Sequence, residues 1–196
     1  MDAVVAIPLF PLHTVLFPGG PLALRVFEPR YLDMIGRVVK DGGCFGICLI
    51  AEGEEIGEAA FTYDVGTLAH ISYWHKRADG MLGVTVVGDQ RFRILEREVQ
   101  PDQLITAKTE LIPNETPRPL PAEFRTLAVL LEEILTQLGH PYVKLPKHYD
   151  DASWVGARLA ELLPIQLAQK QLLLQLDDPI ERLDRLRAMI ELGELA

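Results

Sequence analysis

The chain has 196 residues, 48% of them hydrophobic and 24% charged, with 15 Gly and 14 Pro, the composition of an ordinary globular protein of one large or two small domains. Nineteen Lys and Arg against 28 Asp and Glu leave a net charge of −9. This balance excludes a disordered, collagenous or disulfide-scaffold chain, and neither half carries the basic excess that neutralising a nucleic-acid backbone requires, so nucleic acid is not an expected partner.

Residues 3–24 contain no Lys, Arg, Asp or Glu and are long enough to cross a bilayer. Pro8, Pro11, Pro18 and Pro21, with Gly19 and Gly20, break any helix drawn through them. A signal peptide is disfavoured because Asp2 stands where positive charge belongs and the first basic residue is Arg25. The expectation is a cytoplasmic protein with no membrane partner. Strands are predicted over residues 3–7 and 22–26, the second after the Pro18, Gly19, Gly20, Pro21 turn cluster. A helix follows, with Glu28 as its cap, Pro29 at the tolerated first position, Leu32, Ile35 and Val39 on one face, and Asp41, Gly42 and Gly43 as its end. Residues 45–51 read as a buried strand, 52–58 as an acidic loop punctuated by Gly, and 65–74, 81–87, 91–99 and 104–112 as further strands. Ala78, Asp79 and Gly80 make the best hairpin turn. Six or seven short strands at this spacing imply a barrel or sandwich.

The character changes at residues 113–121, where Pro113, Pro117, Pro119 and Pro121 make a stiff, extended connector. Beyond it every segment is helical. Phe124, Leu127, Leu131, Ile134 and Leu138 share one face of a first helix, stopped by Gly139 and Pro141. Asp151 or Ser153 caps a second helix carrying Trp154, Leu159, Leu162 and Leu163 and broken at Pro164. Residues 166–176 form a third, and Asp178 with Pro179 opens a fourth that aligns Ile180, Leu183, Leu186 and Ile190. The domain organisation expected is a β lobe over 1–112, a connector over 113–121 and a helical lobe over 122–196.

No motif for catalysis stands out. There is no Gly-x-x-x-x-Gly-Lys-Ser/Thr, and Ser72 and Ser153, the only serines, sit outside any nucleophile elbow. His70 and His75 lie on opposite strand faces, and His13, His140 and His148 are scattered, so neither zinc nor any other metal or cofactor is expected. Cys44 and Cys48 are read as buried, reduced thiols. The carboxylate pairs Glu54/Glu55 and Asp150/Asp151 read as solvated surface. What stands out is the proline-stiffened apolar opening, which either plugs the barrel or presents Leu and Phe side chains to a partner at low ordering cost.

Pro8, Leu9, Phe10, Pro11 and Leu12, then Val15, Leu16, Phe17, Pro18 and Gly19, then Arg25, Val26, Phe27, Glu28, Pro29, Arg30 and Tyr31 resemble the start of the amino-terminal substrate-binding domain of the ATP-dependent Lon protease family. Phe45 and Gly46, the run from Val65 to Ala69, Asp79 and Gly80, Val87 to Ile94, and Leu159 to Pro164 continue the resemblance across essentially the whole chain. It implies an α+β fold, a PUA-like β pseudo-barrel with one inserted helix followed by a small α-helical bundle. It also implies recognition of unfolded or tagged polypeptides, with a full-length Lon or another protease as a second class of partner. In Lon an ATPase module and a Ser–Lys protease module follow this domain. The sequence ends at Ala196 with neither a phosphate loop nor such a dyad, so the expectation is a stand-alone, non-enzymatic binding protein. Phe10, Leu12 and Phe17 are the candidate polypeptide-binding residues. Arg25, Glu28, Arg30 and Arg91 are read as structural charges pinning the inserted helix to the barrel. The alternative is a small-molecule binding module using Tyr73 and Trp74. The leucine-rich helices leave an apolar stripe that a homodimer would cover.

Overall fold

A computed structural model describes residues 4–193. The chain divides into two compact units, Met1–Pro113 and Asn114–Ala196. The first contains seven strands, β1 (Val4–Leu12), β2 (Pro21–Val26), β3 (Phe45–Glu52), β4 (Phe61–Thr62), β5 (Val65–Lys76), β6 (Leu82–Val99) and β7 (Ile105–Leu111), with helix α1 (Pro29–Asp41) between β2 and β3.

The sheet runs β1-β7-β6-β5-β3, and a parallel pairing of β1 with β3 closes that ladder on itself into a pseudo-barrel. β2 pairs with β6 and β4 with β3 as side branches. Closure pairs the first half of β1 with β7 and the second half with β3, and from Ile7 onward both of its faces are covered. Ile7 and Leu9 join Cys48, Phe92, Ile94 and Ile105 in one apolar cluster, while Phe10 and Leu12 join Tyr31, Met34, Ile35, Phe45, Val84 and Val86 in another. A strand with two buried faces needs apolar side chains without alternation, which accounts for the uncharged opening of the sequence. Packing is tight enough that Gly46 and Gly66 leave no room for a side chain. A Cβ at Gly46 would lie 2.5 Å from the Phe92 ring, and one at Gly66 would lie 2.5 Å from the Ile47 carbonyl. Cys48 is buried, and burial pushes its thiol up to about 12.

Three sequence expectations need correction. α1 buries Tyr31, Met34, Ile35 and Val38, leaving Leu32 and Val39 exposed, because the face at positions 31, 34, 35 and 38, rather than the one through 32 and 39, meets the barrel core. Glu28 occupies the N-cap position but its side chain makes no cap bond. The two strands expected over 81–87 and 91–99 are one strand, β6, in which the register shift opposite Thr67 and Ala69 absorbs Gly88, Asp89 and Gln90 as a bulge.

The second unit holds α2 (Arg125–Gln137), α3 (Ala152–Leu162), α4 (Leu167–Gln175) and α5 (Pro179–Glu191), with short 3-10 turns at Ala122–Phe124 and Tyr142–Lys144. Asp151 caps α3 by accepting from the N–H groups of Ser153 (2.7 Å) and Trp154 (3.2 Å), and Asp178 caps α5 through Ile180 N–H (2.8 Å). Phe124, Leu127, Leu131, Val155, Leu159, Leu173, Leu183 and Leu186 form the apolar centre. Two guanidinium groups are buried with them. Arg182 donates to the carbonyls of Leu173 (3.0 Å) and Leu176 (2.7 Å) and pairs with Glu115, and Arg158 pairs with Glu161 at 2.8 Å. The same Glu161 accepts from the Tyr142 hydroxyl (2.7 Å), and burial pushes its carboxyl above the usual range despite the Arg158 charge beside it. No helix of the described residues is long and apolar enough to cross a membrane.

Candidate functional site

A groove of about 370 Å³ opens in the barrel unit where β2, the end of β1, the start of α1 and the acidic loop 53–58 meet. Its floor is apolar. Phe10 stacks on Tyr31 with ring centroids 4.1 Å apart and planes 13° from parallel, and Leu12, Leu22 and Leu24 continue the surface. Burial pushes the Tyr31 hydroxyl up to about 12, so the ring presents a neutral phenol to the groove at every physiological pH. Phe27, 47% exposed, and Ile56, 62% exposed, stand among the lining residues as its most accessible apolar groups.

Charged groups shape the rim. Arg30 is buried, pairs with Glu28 at 3.0 Å, lies 4.6 Å from the Tyr31 ring centroid and donates to the Gln103 carbonyl at 2.9 Å in the turn between β6 and β7. Glu28 also accepts from Gly57 N–H at 3.3 Å, and Glu55 accepts from His13 N–H at 2.6 Å, so two contacts hold the acidic loop against the barrel beside the groove. Arg25 lines the groove and is exposed. Arg91 is buried in β6 opposite Thr67, away from it.

The opening segment does not turn its aromatic side chains to solvent as expected for a sticky loop. Phe10 and Leu12 are buried, reaching the groove only as floor, and Phe17 is 1% exposed and takes no part in lining it. The physical reason is the double-faced burial of β1 together with the anchoring of the segment that follows, whose Leu16 carbonyl accepts from the Thr67 hydroxyl at 2.6 Å. Gly88 packs against the same segment, for a Cβ there would lie 2.4 Å from the Phe17 carbonyl oxygen. Phe27 and Ile56 are the residues that sequence reasoning missed. A signal for each exists, since Phe27, one residue past the end of β2, continues the outward parity of a strand that buries Leu24 and Val26, and Ile56 is an isolated apolar residue in a loop of glutamates.

A second cavity of about 670 Å³ lies between α1 and the β6–β7 turn, with Met34, Val38 and Leu104 as its floor and Arg37, Asp41 and Asp102 among its walls. Tyr73 and Trp74 line neither cavity. They stand 57% and 55% exposed near the end of the β5–β6 hairpin, where Tyr73 stacks on His75 at 5.4 Å. Of the carboxylate pairs, Asp151 is the helix cap described above and Glu55 holds His13 N–H. Among the described residues no three His, Cys, Asp or Glu side chains gather in a metal-binding arrangement.

A family profile described as the ATP-dependent protease La (LON) substrate-binding domain matches residues 6–191. Among curated proteins the chain is 25% identical over 186 residues to a Lon protease of Cytophaga hutchinsonii, covering 90% of this chain, and 28% identical over 194 residues to Lon protease 2 of Herpetosiphon aurantiacus, covering 94%. It spans 23% of the length of each of those relatives. It is also 30% identical over 157 residues to protein cereblon of Gallus gallus, covering 78% of this chain and 33% of that protein. Among solved structures, a Lon N-terminal domain protein from Xanthomonas campestris superposes with a TM-score of 0.79 at 37% identity, covering 94% of this chain and 98% of that one. The N-terminal domain of the Mycobacterium avium complex Lon protease shares the fold at a TM-score of 0.63 and 19% identity, covering 93% of this chain and 96% of that one.

Proposed function

Because the chain belongs to the family of the Lon substrate-binding domain, we propose that it is a polypeptide-recognition protein that binds unfolded or tagged protein segments without turning them over, and that the groove beside β2 is where it does so. The observation that carries this reading is the pairing of a preformed apolar floor, Phe10, Leu12, Leu24 and Tyr31, with exposed Phe27 and Ile56. Buried aromatic side chains stacked as Phe10 and Tyr31 are do not collapse when the groove is empty, so an incoming apolar side chain meets a surface already ordered. Phe10 and Leu12 act from the floor, and Phe27 and Ile56 supply the contact that closes over the bound segment. The barrel unit contributes no cofactor or metal to this role, and the binding protein works in the cytoplasm beside a protease that degrades what it holds.

The test is fluorescence anisotropy with a labelled, carboxymethylated lactalbumin as a permanently unfolded probe. Micromolar-class binding is expected, weakened by about tenfold in the double variant Phe27→Ser/Ile56→Ser. Both side chains are exposed, so the unfolding midpoint of the variant should match the parent. Equal binding by the variant would overturn the assignment of the groove, and absence of binding by the parent would overturn the function.

A further inference from the structure

We propose that the bound segment enters the groove as an added β-strand, pairing its backbone with the free edge of β2, and that the groove selects extended apolar segments flanked by Lys or Arg. The inference rests on the polypeptide-binding reading above and specifies how that site works.

Among the described residues β2 pairs with β6 alone. Gly88 N–H donates to the Gly20 carbonyl at 2.8 Å, on the same register that sets Leu22 opposite Val86 and Leu24 opposite Val84. The alternation of an antiparallel ladder then directs the N–H and C=O groups of Leu22, Leu24 and Val26 to β6, and those of Ala23 and Arg25 away from it. The other side of β6 agrees. The Thr85 carbonyl, opposite Ala23, is turned to β5, where the Ser72 hydroxyl donates to it at 3.0 Å. Ala23 and Arg25 therefore present their backbone donors and acceptors along the edge of the sheet. The groove is lined by the seven consecutive residues 22–28, so it runs along this edge rather than over one face of the strand. An exposed row of backbone groups beside an apolar surface is a template for another strand.

A second free edge in the same unit shows what a guarded one looks like. β3 pairs with β5 only through Ala69, so the stretch of β5 from His70 to Lys76 also has one open side. That stretch is bulged between Ile71 and Tyr73 and ends in Lys76, two devices that twist an edge away and repel a partner. β2 has no register shift against β6. Its edge is straight, and the apolar residues of the groove flank it.

Charge supplies the preference. The loop 53–58, which follows Glu52 at the end of β3, carries Glu54, Glu55 and Glu58 with no Lys or Arg, and its Glu55 and Ile56 line the groove. Glu28 and Glu55 outnumber Arg25, the one basic side chain of the lining, and an extended chain on β2 lies beside the acidic loop, so basic residues flanking its apolar stretch are attracted and acidic ones repelled. Backbone pairing reads no side chain, which suits a site that must accept many sequences, and the charge term sorts among them.

The experiment titrates the protein into a fluorescein-labelled peptide of alternating valine and threonine flanked by lysine pairs. Two further peptides carry N-methyl groups on alternate residues, one blocking the N–H groups along one edge of the peptide strand and the other blocking those along the opposite edge. The expected result is that one methylated peptide loses affinity by about tenfold or more while the other stays within about twofold of the parent. Ala23→Pro removes only an outward N–H and should weaken binding comparably with an unchanged unfolding midpoint. If that variant fails to fold, the methylated peptides still decide on the unmodified protein. A peptide with glutamate flanks should bind more weakly, with the difference shrinking as salt is added. If both methylated peptides bind like the parent, strand addition is overturned while the groove remains a binding site. Equal affinity for the glutamate-flanked peptide overturns the charge preference. If no peptide binds, and light scattering finds a dimer that Ala23→Pro converts to monomer, the edge belongs to a second copy of the chain and the inference falls. No binding without such a dimer removes the polypeptide reading itself.

Discussion

The two units satisfy their buried backbone groups in different ways. In Met1–Pro113 the backbone groups are satisfied by strand pairing between distant parts of the chain, and Arg30, Arg91 and four threonines are buried among its apolar core. In Asn114–Ala196 short helices satisfy their own backbones, but loops and helix ends leave carbonyls, such as those of Leu173 and Leu176, that the buried guanidinium of Arg182 must bind. The difference teaches where each unit has spare capacity. A ladder that branches, as β2 does from β6, ends in an edge with donors and acceptors to offer. Both units commit a buried guanidinium to carbonyls, Arg30 to Gln103 and Arg182 to Leu173 and Leu176, so what sets the barrel unit apart as the place for a binding site is the open edge of β2.

Arg182→Ala is the strongest test of that contrast. It leaves Glu115 and two carbonyls without their buried partner and should destabilise the helical unit by about 3–5 kcal/mol. Guanidinium unfolding followed by Trp154 in a Trp74→Phe background reads this unit, and Trp74 in a Trp154→Phe background should show the barrel unit unmoved. A matching loss in both would mean that the units are not energetically distinct. Gly66→Ala tests the barrel side. The added methyl meets the Ile47 carbonyl and the Cys48 sulfur, so the barrel unit should lose about 1–3 kcal/mol while the helical unit keeps its midpoint. An unchanged barrel midpoint would show that the closed sheet has slack the packing does not reveal.

Alkaline pH gives the smallest effect. Burial raises the Cys48 thiol from its usual value of 9.0 to about 12, so between these limits the folded state keeps a proton that the unfolded chain releases. Its contribution is complete below pH 9 and falls by about 1.4 kcal/mol per pH unit as pH rises through the window. Tyr31, raised from 10.0 to about 12, adds the same loss from pH 10 upward. Chemical denaturation at pH 7, 9 and 10 should therefore show a slope between 9 and 10 that Cys48→Ala flattens. A slope that survives the substitution would assign the alkaline sensitivity elsewhere.

Much of the secondary structure could be read from the chain because local signals agree with the final environment. Asp178 followed by Pro179 opens α5, the Gly42 left-handed turn closes α1, and Leu127 and Leu131 of the expected face of α2 are buried, with Leu135 beside them and Leu138 past the helix end. Misreadings arise where a local signal has two meanings. Gly88, Asp89 and Gln90 resemble a turn but form a bulge inside one long strand, because β6 must bend to serve both β2 and β7. β4, only two residues long, has no periodicity to detect. Leu32 and Val39 share helical spacing with Ile35 yet are exposed, since spacing identifies a stripe without saying which side of it meets the barrel.

The candidate site was less legible for the same reason. Composition, turn chemistry and the ordered series of motifs were enough to determine the family, the α+β class and the change from strands to helices at the prolines, because each depends on residues near one another in the chain. Tertiary structure alone decided that Phe10 and Leu12 form a floor, that Phe17 is withdrawn, and that Phe27 and Ile56, far apart in the chain, meet at the same groove. These outcomes depend on β1 pairing with both β7 and β3, contacts between segments some forty to a hundred residues apart. Whether an apolar side chain faces solvent or core is settled by what the sheet places on its other side, and no local pattern carries that information.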